Sequence, residues 1–124
     1  MDLIEIHLDG GRDAYLPGET ITGSVSWQFD APATGIDLRL FWYTRGKGTQ
    51  DVHVVKAQQF DAAGTGGRRN FRFVLPEEPY SFSGKLVSLT WALEAVAQPG
   101  DRSARRELVV APAGREVVLG TDVP

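Results

Sequence analysis

Two stretches in which apolar and polar residues alternate, each introduced by a turn, constrain the fold of this chain most. From residue 20 to residue 29, Ile21, Val25 and their alternate neighbours are apolar or glycine, whereas the residues between them are polar. Successive side chains of an extended segment point to opposite faces, so one face here is apolar and the other polar. Just before it, Pro17 and Gly18 suit the central positions of a type II turn, because proline presets φ and glycine accepts a positive φ. The pattern predicts a half-buried strand after a tight turn.

The second stretch repeats this arrangement later in the chain. A loop at residues 79–84 leads into residues 85–97, where every second side chain from Val87 onward is apolar. Gly23, inside the earlier strand, predicts a bulge or close backbone packing. The same reasoning along the whole chain predicts strands at residues 3–9, 20–29, 35–45, 51–60, 69–75, 85–97, 104–111 and 115–119.

Turn residues separate these segments, and helical spacing of apolar residues does not persist anywhere. The glycine-containing segments 46–49 and 64–67 lack the spacing and the following helix of a phosphate-binding loop or a dinucleotide fingerprint, so both are predicted to be hairpin tips. Short, evenly spaced strands are typical of a β-sandwich or a barrel. The chain is therefore predicted to be all-β.

Length and composition exclude several classes of protein. With 124 residues, 42% of them hydrophobic and 23% charged, the chain is predicted to form one globular domain over residues 1–124, with a flexible tail at 120–124. It has no apolar run of the ~20 residues that a membrane-spanning helix needs. The first residues do not resemble a secretory signal, which predicts a cytoplasmic protein without membrane insertion.

Charge and cysteine content narrow the chemistry further. The chain has no cysteine, which excludes disulfides, thiolate metal sites and a cysteine nucleophile. Its net charge of -3 argues against general affinity for nucleic acid, which relies on a basic surface to displace counterions from phosphates.

Both turn-and-strand motifs resemble those of arrestin-like proteins. In that family a tyrosine and a Pro-Gly-Glu turn introduce a strand with Gly-x-Val, and a later Pro-x-Ser-Phe-x-Gly loop introduces a strand with an aromatic residue and Leu-Glu-Ala. The resemblance implies an antiparallel, immunoglobulin-like β-sandwich of about 7–8 strands, similar to the N-terminal half of an arrestin, that binds other proteins. The residues that carry it are Tyr15, Pro17, Gly18, Glu19, Gly23, Val25, Pro79, Ser81, Phe82, Gly84, Trp91, Leu93, Glu94 and Ala95.

Departures from the family pattern remove its best-known mechanisms. Typical arrestins have two such sandwiches, whereas this chain has the length of one. Receptor arrestins carry lysines in the first strand, and residues 3–8 contain none. Pro79-Tyr80 does not match the Pro-Pro-x-Tyr tails with which many α-arrestins recruit ubiquitin ligases. The resemblance thus implies a scaffold that binds a protein partner, or that forms a homodimer restoring a two-lobed arrangement.

Candidate catalytic and ligand-binding residues do not form a recognisable constellation. His7 and His53, the only histidines, lie on different predicted strands, and surface positions explain them better than a metal site does. Glu77 and Glu78 are adjacent in a loop bounded by prolines, where two carboxylates rarely straddle one substrate. The sequence predicts a non-enzymatic protein without cofactor or metal; a hydrolase would need His53, Asp51 and a loop carboxylate to converge.

Two groups of arginines are candidate anion sites. The guanidinium groups of these arginines can bind anions in bidentate fashion, but acidic neighbours make solvated ion pairs the better interpretation. The clusters comprise Arg68, Arg69, Arg102, Arg105 and Arg106.

The sharpest candidate surface lies on the segment at residues 35–45. One of its faces is apolar, and the other changes from charged to aromatic, with Arg39, Phe41 and Tyr43. Aromatic residues concentrate at interface hot spots, so these three are predicted to bind a protein partner or a second copy of the chain. Two alternatives stay open: a loop or strand covers the rings within the monomer, or exposed rings beside polar groups bind a carbohydrate or another small molecule.

Overall fold

In a computed structural model, residues 1–100 and 102–112 are described, as is the backbone of residues 117–118. The predicted tail at 120–124 and most of the predicted strand at 115–119 lie outside this part. The strands are β1 (Leu3–Leu8), β2 (Ala14–Tyr15), β3 (Thr20–Gly46), β4 (Thr49–Val74), β5 (Phe82–Ser83), β6 (Ser88–Gln98), β7 (Ser103–Val110) and β8 (Val117–Val118), with a 3-10 helix at Asp9–Gly11. No helix among the described residues has the length and apolar character needed to cross a membrane.

Strands account for 74% of the described residues, which confirms the all-β class. They form one curled sheet in which β1, β3, β6, β5 and β8 are successive neighbours, while β4 pairs with β3, and β7 pairs with β6 and β2. The pairs β2–β7 and β5–β8 are parallel, and the other pairs are antiparallel. The sheet is therefore mixed, whereas a purely antiparallel one was predicted.

The two long strands β3 and β4 each run through both halves of the sheet. Residues 20–29 of β3 lie between β1 and the second half of β4, whereas residues 35–45 lie between the first half of β4 and β6. The sequence predicted a break in each strand, near Pro32 in the first and near residues 64–67 in the second. The structure instead continues each strand through these places. Residues 29–32 of β3 have no partner in β4, and the pairing resumes at Ala33 with a shift of register.

The glycines at 64–67 are not a hairpin tip, as was predicted, but part of β4. Gly67 lies opposite Trp27 of β3, and a Cβ atom on Gly67 would come within 2.8 Å of the Trp27 ring. The indole Nε1 of Trp27 donates a hydrogen bond of 3.0 Å to the carbonyl oxygen of Ala63. Glycine is needed here because the chain passes directly over a buried ring, a reason that composition alone does not reveal.

The inward faces of the curled sheet enclose one apolar core. Trp27 and Trp91 belong to it, as the two alternating stretches predict. Gly23 permits close packing, since a Cβ atom there would lie 2.8 Å from Phe71 Cζ. Fully burying one large apolar side chain stabilises the fold by roughly 1.5–3 kcal/mol, so the core side chains dominate its stability.

The motifs that carry the family resemblance are turns and anchors of this core. Gly18 has φ +78°, as the predicted turn requires, and Glu19 N–H bonds to the carbonyl oxygen of Leu16 at 3.1 Å. In the later motif, Ser81 exchanges backbone and side-chain hydrogen bonds with Val110, at 2.7 Å and 2.9 Å. Both motifs thus fix strand connections.

Candidate protein-interaction surface

The predicted binding residues lie on the side of the sheet that faces away from the core, here called the outer face. Strand register places β4, β3, β6 and β7 side by side across it. Phe41 pairs with Val54 on one side and with Ala92 on the other, and Tyr43 pairs with Val52. The outer face comprises Arg39, Phe41, Tyr43, Arg45, Val52, Val54, Thr90, Ala92, Glu94, Arg105 and Glu107.

Phe41 and Tyr43 are buried on this face, each with 4% of its surface exposed. With Ala92 they form a small apolar cluster separate from the main core. Their ring centroids lie 6.2 Å apart at an interplanar angle of 31°. The question that the sequence left open is therefore answered: the rings are covered and do not form the flat, exposed platform that a sugar site needs.

Polar side chains from β6 and β7 supply much of this cover. The guanidinium carbon of Arg105 lies 5.1 Å from the centre of the Phe41 ring and 5.7 Å from that of Tyr43. Its Nη2 lies 3.3 Å from Glu94 Oε2, an ion pair that holds the guanidinium over the rings. A cation above an aromatic face is attracted by the ring quadrupole, typically by about 0.5–1 kcal/mol at exposed sites.

Tyr43 is also tied to β7 through its hydroxyl group. The phenolic O–H donates a hydrogen bond of 2.7 Å to Glu107 Oε2. Burial and this bond to a carboxylate both raise the pKa of Tyr43 above its ordinary value, because each disfavours the phenolate. The hydroxyl therefore remains a donor in the neutral pH range.

The exposed apolar part of the outer face is contributed by β4. Val52 and Val54 are 58% and 51% exposed, and Arg39 is exposed beside them. Between these residues lies a shallow depression of about 70 Å³, lined by Arg39, Phe41, Val52, Val54, Glu94 and Arg105. Of the three predicted binding residues, Arg39 is thus accessible, whereas Phe41 lies in the floor.

The first half of β4 also forms an edge of the sheet. Within the described part of the chain, β4 pairs only with β3. A register shift lies between Leu40 and Phe41, opposite Val55, and Val55 packs against the main core while Val54 stays on the outer face. Such bulges are common at sheet edges, where they re-aim side chains.

The other residues considered from sequence are not brought together. His7 Nε2 lies 3.0 Å from Ser26 Oγ, and the His53 ring stacks on Trp42 at 4.8 Å between centroids. In the described ranges, no group of three or more histidine, aspartate and glutamate side chains is placed to hold a metal ion.

The arginine clusters are likewise dispersed by their contacts. Arg102 donates to the carbonyl oxygens of Ala31 and Pro99, whereas Arg106 donates to that of Ile6. Arg69 lies over the Trp27 ring, at 5.9 Å from its centroid. Each of these arginines thus contacts a different part of the fold, and together they do not form one anion site.

Sequence reasoning missed Val52, Val54, Arg105 and Glu107 as parts of this face. Two alternating valines in an otherwise polar strand were the available signal for the apolar patch. No comparable signal identified Arg105 and Glu107, because their position over the rings depends on β7 pairing with β6.

Comparison with known proteins gives a likeness of fold. No family model matches the chain, and no curated protein matches its sequence. Among solved structures, the sporulation control protein Spo0M from Bacillus subtilis matches with a TM-score of 0.60 and 22% sequence identity. The match covers 89% of this chain and 49% of Spo0M, so the chain spans about half the length of that protein. Spo0M has an arrestin-like fold, in agreement with the resemblance carried by the turn motifs.

Two weaker matches are enzymes. A β-glucosidase from Listeria innocua has a TM-score of 0.48 and 13% identity, covering 94% of this chain and 16% of the enzyme. The Pseudomonas fluorescens alkylpurine DNA glycosylase AlkC has a TM-score of 0.41 and 18% identity, covering 87% of this chain and 30% of the enzyme. Likenesses this distant support no inference about activity.

Proposed function

We propose that this chain is a non-enzymatic protein-interaction module with an arrestin-like β-sandwich, and that it binds a partner protein or a second copy of itself by strand addition at β4. The observation that carries the proposal is the edge position of β4, which pairs with β3 alone in the described part of the structure. An edge strand presents unpaired N–H and C=O groups, which an extended peptide can bind.

The outer face beside this edge would provide specificity. In strand addition, main-chain hydrogen bonds give affinity, and pockets for alternate side chains select the sequence. Val52 and Val54 present apolar surface there, while Arg39 and Arg105 line the same depression. The expected partner segment is an extended peptide with an apolar residue next to an acidic one. Phe41 supports this surface from beneath.

The fold likeness supports a regulatory role over a catalytic one. Spo0M is described as a sporulation control protein, and its similarity to this chain is in fold. We infer a corresponding regulatory module in the cytoplasm, one sandwich over residues 1–124, that needs no cofactor and does not bind nucleic acid or insert into the membrane. The covered rings of Phe41 and Tyr43 provide no observation in favour of a sugar-binding alternative.

Selection from a displayed library of random extended peptides tests this proposal. The immobilised protein should select peptides whose binding is lost in a Val52→Lys, Val54→Lys variant, because charged side chains protect a sheet edge from pairing. The matched control is Val74→Lys, an exposed valine of the same strand in the other half of the sheet. Self-association in sedimentation that the same double variant abolishes would assign the edge to a second copy.

The proposal would be wrong if selected peptides, and any self-association, were unaffected by the double variant. Folding of each variant is checked by its urea unfolding curve. Both substitutions lie on exposed side chains, so the curves should overlay that of the parent protein.

A further inference from the structure

At one end of the sheet, the turn between β3 and β4 lies beside the segment that enters β6. Arg45 pairs with Ser88, and the backbone oxygen of Leu86 lies 3.7 Å from the position that a Cβ atom on Gly46 would occupy. Between the two segments is an open cleft of about 420 Å³, here called the basic cleft. It is lined by Arg45, Gly46, Lys47, Gly84, Lys85, Leu86, Val87 and Ser88.

The lining has one sign of charge. Arg45, Lys47 and Lys85 contribute three cations, and no aspartate or glutamate of the described residues lines the cleft. None of the three cations belongs to an ion pair within the described ranges. The whole chain has a net charge of -3, so the positive charge of this cleft is opposite in sign to that of the protein. Such a local field attracts anionic surfaces.

An apolar projection stands next to these cations. Leu86 is 77% exposed and Val87 is 40% exposed, and both lie in the non-strand segment immediately before β6. Leu86 lines the cleft and still leaves most of its side chain exposed, so apolar surface is available beside the cations. In proteins that lie on membranes, apolar side chains enter the boundary between lipid headgroups and acyl chains, and nearby lysine and arginine are attracted to anionic lipids.

We propose that this end of the molecule docks reversibly onto an anionic membrane surface. Leu86 enters the headgroup boundary, while Arg45, Lys47 and Lys85 contact the phosphate and carboxylate groups of the lipids. The chain remains peripheral, since the contact consists of one projecting segment. This inference goes beyond the proposed function and shares only Arg45 with the outer face. The variants that test it differ from those that test strand addition, so either proposal can fail without the other.

Sedimentation with lipid vesicles tests the inference on the intact chain. The protein should bind vesicles of phosphatidylcholine mixed with phosphatidylserine, and binding to phosphatidylcholine alone should be much weaker. A Lys47→Gln, Lys85→Gln variant should lose about 25-fold in affinity, because each cation near an anionic surface contributes about fivefold, or about 1 kcal/mol. Leu86→Ser should lose about tenfold through its apolar contact. Added salt should weaken binding by screening the charges.

The matched control is Arg68→Gln, Arg72→Gln, which removes two exposed cations from the other half of β4. Its vesicle binding should equal that of the parent protein. The inference is overturned if both vesicle types bind equally, if the lysine variant binds as the parent does, or if the control loses as much affinity. Binding of soluble inositol hexakisphosphate, or of a polyglutamate peptide, without vesicle binding would also overturn it and assign the cleft to a soluble anion or a protein.

Discussion

Tyr43 of β3 donates a hydrogen bond of 2.7 Å to Glu107 of β7, joining two strands that are separated by β6. Glu107 pairs with Ala92 of β6, which is fully buried although it faces away from the main core. The hydrogen bond therefore ties β7 to the apolar cluster of the outer face, whereas Val52 and Val54 of β4 stay exposed. The hydrogen bond thus contributes to the stability of the outer face.

The contribution of this hydrogen bond to the free energy of unfolding can be measured by comparing two tyrosines. Tyr43→Phe should lower the free energy of unfolding by about 1–2 kcal/mol, because it removes a bond to a charged acceptor and leaves the Glu107 carboxylate without that donor. Tyr15→Phe is the control, since the Tyr15 hydroxyl is buried and has no hydrogen-bond partner among the described residues. Its free energy of unfolding should be unchanged or higher. If both variants lost the same free energy of unfolding in urea, the bond to Glu107 would contribute no stability of its own.

The close passage of β4 over Trp27 predicts a difference between two neighbouring glycines. Gly67→Ala should destabilise the fold by about 1–3 kcal/mol, because its Cβ would lie 2.8 Å from the ring and force a rearrangement. At Gly66 the corresponding Cβ would make an ordinary contact of 3.6 Å with the Trp27 carbonyl oxygen. Gly66→Ala should therefore have a much smaller effect in thermal unfolding. If the two variants unfolded at the same temperature, close packing against Trp27 would not be the reason for glycine at position 67.

Acid should weaken the turn that introduces β3. The Arg12 guanidinium and the Leu16 N–H hold the pKa of Glu19 at about 2, well below its ordinary value of 4.5. A lowered folded-state pKa gives stability that is present above the unfolded pKa and is lost as the pH falls from about 4.5 toward 2. Because both side chains of the pair are partly exposed, solvent screening keeps its contribution to stability small.

Urea unfolding at neutral pH and near pH 3 measures this contribution. Glu19→Gln should reduce the loss of stability between the two pH values, since glutamine does not titrate. Asp30→Asn is a suitable control, because Asp30 pairs with the N-terminal ammonium at a highly exposed position. An identical pH dependence in the parent protein and the Glu19→Gln variant would contradict the assignment.

Local sequence patterns predicted the parts of the fold that depend on local chemistry. Alternation identified the inward residues around Trp91, and the Pro17-Gly18 turn has the positive φ that its sequence requires. The continuity of β3 and β4 was not predictable, because residues 64–67 look like a turn unless the position of Trp27 is known. These glycines instead allow β4 to pass over the Trp27 ring on its way from one half of the sheet to the other.

The candidate surface was predictable only in part, for the same physical reason. The change from charged to aromatic residues identified the segment that contains Arg39 and Phe41. Burial of the rings depends on Arg105, which follows them by more than sixty residues in sequence. It lies on β7, which is separated from β3 by β6. Alternation reports which face a side chain occupies, and long-range pairing decides what covers it.

Amide hydrogen exchange on the complex with a selected peptide tests strand addition at β4 most directly. Peptide binding should slow exchange in the first half of β4, around Val52 and Val54, because edge amides gain hydrogen-bond partners. Exchange in β1, another edge strand, which pairs with β3 alone in the described part of the chain, should not change. Protection confined to β1 or to the segment around Leu86, with β4 exchanging as in the free protein, would rule out strand addition at β4.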